Sequence, residues 1–152
     1  MNTYVDKRTH LCYNLSGDMM RNTNKQLLFC SLNCFGSLLL GLLIYVFLRN
    51  NTWLHKIFSL TSPILLHSSP FINFLRYYFV DALWAYALTM ALTLPIGERW
   101  AAGAAAGFGL FWEVMQGLNW VSGTADVADV LMYLSASVLA ALINTHFKRR
   151  LL

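Results

Sequence analysis

The sequence predicts an all-α integral membrane bundle of four transmembrane helices, with an interfacial segment between the first and second spans. Three observations carry this. Of 152 residues, 57% are hydrophobic and 12% charged, whereas a soluble domain uses ~25% charged residues. The apolar residues gather in runs long enough to cross a hydrocarbon core of about 30 Å at about 1.5 Å per residue. The basic residues flank those runs and the two chain ends. That is where the flanks of membrane spans carry them, and they form no basic stripe of the kind that binds nucleic acid.

Residues 1–26 are polar, with Lys7, Arg8, Arg21 and Lys25 set against Asp6 and Asp18. They read as a loosely ordered basic cytoplasmic tail. Residues 27–152 read as a single membrane domain. Span one covers about 27–48, is uncharged and closes at Arg49. It is longer than the apolar region of a signal peptide and lacks a small-residue cleavage site, so it is expected to stay as an uncleaved anchor. Asn50-Asn51-Thr52 is a turn. Trp53 to Leu66 is apolar but interrupted by His55, Lys56 and Pro63, and His67-Ser68-Ser69-Pro70 breaks it again. This stretch is expected to lie in the interface or to re-enter, with Trp53 at headgroup level.

Span two covers about 77–94. It opens on Arg76-Tyr77-Tyr78, an interfacial belt, and ends at Pro95-Ile96-Gly97. A very short turn, Glu98-Arg99-Trp100, leads into span three, about 100–118. The first half of that span is nearly all Gly and Ala, and Gly103 and Gly107 form a GxxxG pair suited to close helix packing or to a helix–helix oligomer. Span four covers about 126–147 and stops at Lys148-Arg149-Arg150. Eight Lys and Arg fall on the tail, second loop and C-terminus, against three on the first and third loops. The positive-inside rule therefore places both termini in the cytoplasm of a multi-pass cell-membrane protein.

Ionisable groups inside spans cost a few kcal/mol each, so each needs a reason. Asp81 enters span two. Glu113 and Gln116 (i, i+3) lie near the end of span three, and Asp126 and Asp129 (i, i+3) open span four. With the orientation above, all five fall in the same outer slice of the membrane. An acidic pocket there can bind a cation, grip a hydroxylated headgroup or transfer protons. Plainer roles stand beside these. Asp126 and Asp129 sit where carboxylates cap a helix start, Asp81 follows Arg76 by five residues, Gln116 is placed to bond a neighbouring helix, and Tyr86 and Tyr133 suit packing as well as pocket lining. Cys30 and Cys34 share one helix face and read as small packing residues rather than a thiol site. There is no HExxH, P-loop, GxSxG or CxxC, and so no sequence signature for a metal or a cofactor.

The segment from Glu113 to Ala141 (EVMQGLNWVSGTADVADVLMYLSASVLAA) resembles the VanZ-like family of small bacterial membrane proteins. That family shows a span ending in Glu-x-x-Gln, a short loop, an aspartate about thirteen residues on, and a last span rich in small residues. Glu113, Gln116 and Asp129 fall on those positions, and Asp126 on a frequent acidic one. FVDALWAYALTMAL looks like the family's earlier aromatic-rich span, so the likeness covers roughly residues 71–145. The chain departs from the pattern at Gly123, where the family's arginine would fall, at Tyr133 in place of an asparagine, and near Ala136 or Ser137 in place of a glycine. The resemblance implies a bacterial envelope setting and a link to low-level resistance to glycopeptides such as teicoplanin. Its partners would be the lipid bilayer together with a cell-wall precursor, a lipid headgroup or the glycopeptide. Two other readings stay open: a membrane enzyme acting on headgroups with Glu113 and Asp129 as acid and base, and a helix-packing subunit of a larger complex.

Overall fold

In the computed structural model, residues 3–48 and 69–151 are described, with side chains from Met20 onward. The expected interfacial segment, Trp53 to Leu66, lies outside the described residues. Among those described there is no strand. The chain forms α1 (Thr3–Leu48), α2 (Pro70–Ile96), α3 (Glu98–Gly117) and α4 (Val127–Leu151). Among the described residues three stretches are long and apolar enough to cross a membrane: Met20–Leu48 within α1, α2 and α4. α3 has 20 residues, which suffices in length, but Glu98, Arg99, Glu113, Gln116 and its many Gly and Ala residues dilute its apolar character.

The region read as a loosely ordered tail is instead helical, because α1 runs unbroken from Thr3. Hydropathy marks where a helix becomes apolar, and the polar stretch before it contains no proline to stop the helix. α2 starts earlier than the apolar pattern indicates. Ser69 accepts the Ile72 N–H at 3.2 Å and Pro70 follows it in the first helical turn, the usual chemistry of a helix start. Leu75–Phe79 is wound as a π turn within it, and the α-helix resumes over Val80–Ile96. Pro95 sits inside the last turn, and Gly97, at φ 82°, makes the corner from which α3 departs. A positive φ there is open to glycine at little cost.

α2 is the central helix, packed against α1, α3 and α4, while α3 also packs on α4. The interior is made mostly of small side chains: Ala82, Ala85, Ala101, Ala105, Ala136 and Ala140 are buried, as are Thr89, Thr93 and Ser137, with Met90 and Asn144 the largest that are fully enclosed. The large apolar side chains point outward, among them Phe35, Phe71, Trp100, Phe108 and Leu142. In water this arrangement would be inside out. In a bilayer it is the expected one, since lipid removes the drive to bury large apolar groups and small residues let helix backbones approach. The buried hydroxyls of Thr89 and Thr93 donate to the Ala85 and Thr89 carbonyls at 2.8 and 2.7 Å, which satisfies them within their own helix.

Candidate functional site

Three helices, α2, α3 and α4, meet where α3 ends and α4 begins. Glu113, 5% exposed, lies on the buried stripe of α3 formed by Ala101, Ala105 and Gly109 at four-residue intervals. One of its oxygens accepts the Asp126 backbone N–H at 2.9 Å, and the other accepts the Tyr133 hydroxyl at 3.5 Å. Glu113 thus clasps the loop end and the first turns of α4. Asp126 caps α4: Oδ1 accepts the Ala128 N–H at 2.9 Å, while Oδ2 accepts the Tyr78 hydroxyl at 3.1 Å. The capping role foreseen for Asp126 is observed, with a cross-helix bond to the π turn added to it.

Asp129 stands one turn further into α4, close enough to Glu113 and Asp126 to feel both charges. Its Oδ1 is buried without a hydrogen-bond partner, so the first-turn position does not account for that oxygen. Tyr133 is the meeting point of the group, lying within electrostatic reach of Asp81, Glu113 and Asp129. Its ring packs where a side chain on Gly109 would stand, so that glycine permits the close approach of α3 to α4. Asp81 and Tyr133 line one end of a groove of about 730 Å³ between α1 and α3, floored by α2. Gln116 does not join the groove. It occupies the space a side chain on Gly123 would fill and so belongs to the loop. Gly103 and Gly107 are exposed, with open space around them. Among the described residues nothing packs against them, and Gly109 makes the close approach.

Sequence reasoning missed Tyr78, which looked like an interfacial belt residue. Its partner Asp126 is 48 positions away, and nothing local signals the pairing. A second polar cluster, at the opposite end of the bundle, was not foreseen either. Buried Asn144 accepts from the Cys30 thiol at 3.4 Å and donates to Glu98 at 3.3 Å, and Lys148 donates to the same Glu98 oxygen at 3.2 Å. Glu98 sits in the corner between α2 and α3, where its own backbone amide and Lys148 hold its carboxyl below the ordinary value against the opposing effect of partial burial. Cys30 packs with Met90 and Ala140. Among the described residues, no three His, Cys, Asp or Glu side chains are placed to hold a metal ion.

No family model, curated protein or solved structure matches the chain. Among the described residues the fold is all-helical, and three of its helices are long and apolar enough to cross a membrane, which is compatible with an integral membrane protein.

Proposed function

We propose that the chain is a four-span bacterial envelope protein of VanZ-like type, whose acidic cluster binds a cell-surface ligand and contributes to glycopeptide resistance. The observation that supports it best is the convergence of Asp81, Glu113 and Asp129 on Tyr133 from three different helices. Intramembrane carboxylates brought together in this way mark ligand or ion sites more often than packing. In this reading Glu113 and Asp126 build the site, and Asp81 and Asp129 present charge to the ligand. α3 is the fourth span: it packs between α2 and α4 and exposes Phe108, Leu110 and Phe111 on its outer side. The basic-residue count supports an outer-face position for the cluster.

Reporter fusions after residues 97, 122 and 152 are expected to read cytoplasmic, external and cytoplasmic. A cytoplasmic signal at 122 would remove the antibiotic-facing site. In a susceptible Gram-positive host, the wild type is expected to lower teicoplanin sensitivity and Asp129→Asn to abolish the effect at matched membrane levels. Unchanged sensitivity with the wild type ends the resistance reading. Acid–base catalysis by Glu113 and Asp129 has less support, because both Glu113 oxygens are already engaged.

A further inference from the structure

The groove between α1 and α3 exists because those two helices stand apart on either side of α2, without face-to-face packing. Its walls are almost wholly apolar, with Leu38 from α1, Leu88 and Ala91 from α2, and Ala105 from α3. It opens sideways between helices whose outer faces carry exposed Leu and Phe, which means into lipid and not into water. From Asp81 to Ala91 the floor advances ten residues along α2, about 15 Å at about 1.5 Å per residue, or one leaflet of a core about 30 Å thick.

Its polar end has a definite chemistry. Asp81 shares the lining there with Trp84, Trp112 and Tyr133, and both indoles are well exposed. A carboxylate among aromatic rings is a combination that recognises an ammonium group, through charge and through cation–π attraction. Arg76 lies outside this lining, one π turn earlier on α2, and its Nε is buried without a partner. A headgroup that carries an ammonium matches the carboxylate and the two indoles at this end of the groove.

We infer that this groove holds one acyl chain of an ammonium-headed phospholipid, with the ammonium seated among Asp81, Trp84 and Trp112. The inference rests on the chain crossing the bilayer and on no other part of the reading above. Asp81 supplies the negative charge, the indoles shield the ammonium from competing donors, and the groove below accommodates one chain. An anionic headgroup without an amine would meet the Asp81 carboxylate unfavourably.

The test uses the full chain, purified in mild detergent and exposed to equal phosphatidylethanolamine and phosphatidylglycerol, with retained lipid read by native mass spectrometry. The wild type is expected to keep one lipid with a preference of roughly ten-fold for the ethanolamine form, the scale of one shielded ammonium contact. Asp81→Asn is expected to retain lipid with the preference reduced to about even, while Asp81→Glu keeps the preference. Ala91→Trp, a substitution at an exposed lining position, is expected to lose both lipids while staying monodisperse. A wild type that binds neither lipid or both equally overturns the inference, as does lipid retention by Ala91→Trp or a lipid-free pair of chains. Alkaline extraction of membranes separates the failures. A chain that washes off loses the membrane reading with it, whereas one that stays embedded without lipid loses this inference alone.

Discussion

Replacing Gly109 by alanine sets two effects of known sign against each other. In a helix interior alanine is favoured over glycine by about 1 kcal/mol. At Gly109, however, the added methyl would fall on the Tyr133 ring and its Cβ, atoms at the root of the side chain that cannot swing aside. α3 and α4 would have to separate, and overpacking of this kind costs about 1–3 kcal/mol. The shift also strains the Tyr133–Glu113 hydrogen bond, a contact worth about 1 kcal/mol. The net expectation for Gly109→Ala is a loss of about 1–3 kcal/mol after the helix gain is subtracted. Gly103→Ala and Gly107→Ala supply the internal control, since nothing lies within 4 Å of the added carbon at either site. They are expected to be neutral or stabilising by up to about 1 kcal/mol. Reversible unfolding of the three variants in detergent–lipid bicelles measures the difference. If Gly109→Ala proves as stable as Gly103→Ala, the close contact between α3 and α4 is wrong and the placement of Glu113 falls with it.

Two further outcomes test the opposite end of the bundle. Asn144 is fully buried and bridges Cys30 to Glu98, so Asn144→Ala should destabilise by about 0.6–1.7 kcal/mol, from the average to the maximum found for interhelical polar contacts in membranes. A double-mutant cycle with Cys30→Ala is expected to show coupling, and strict additivity would mean the bridge is absent. Glu98 has its carboxyl held below the ordinary value by its own amide and Lys148. Its contribution is therefore complete above the unfolded value, near 4.5, and is lost as pH falls through the lower folded value. The unfolding midpoint should fall on acidification below that range more for the wild type than for Glu98→Gln, and parallel pH profiles would remove the role assigned to the carboxyl.

The positions of the four helices, and the apolar character that fits three of them to a membrane, were legible because span length and charge exclusion are properties of continuous sequence. So was the capping role of Asp126, which is decided by neighbours two residues away. The start of α1 was not legible, since the pattern that marks a span is silent about helix extending beyond it. The inner face of α3 was misdirected by GxxxG, which stands out by eye, whereas the packed stripe Ala101, Ala105, Gly109 and Glu113 has the same four-residue spacing in less conspicuous residues. Helix-face assignment needs the partner helices, and a small-residue helix offers several equivalent faces. The Tyr78–Asp126 bond and the Asn144 bridge join residues far apart in sequence, and no local signal encodes them.

These distant polar bonds also explain why a groove is present at all. A core of Ala, Gly, Ser and Thr gives neighbouring helices shallow, similar surfaces, so polar clasps carry much of the choice of register. For α1 the clasps are Asn22 to the Leu151 carbonyl, Cys30 to Asn144 and Tyr86 to Asn33, joined by the stacked Phe29 and Phe147 rings at 3.9 Å. All of these sit on α1 before Cys34. Beyond that point α1 comes close to α2 where Leu83 lies beside Gly41. At the other end of the bundle α3 and α4 are clasped to each other by Glu113 and Asp126, and Tyr78 brings the π turn of α2 into the same set. The two sets of clasps pull different helix pairs together at opposite ends. The space left between α1 and α3, beside Cys34 and Leu38, is the consequence, and it lies next to the carboxylates because the clasp that creates it is built from them.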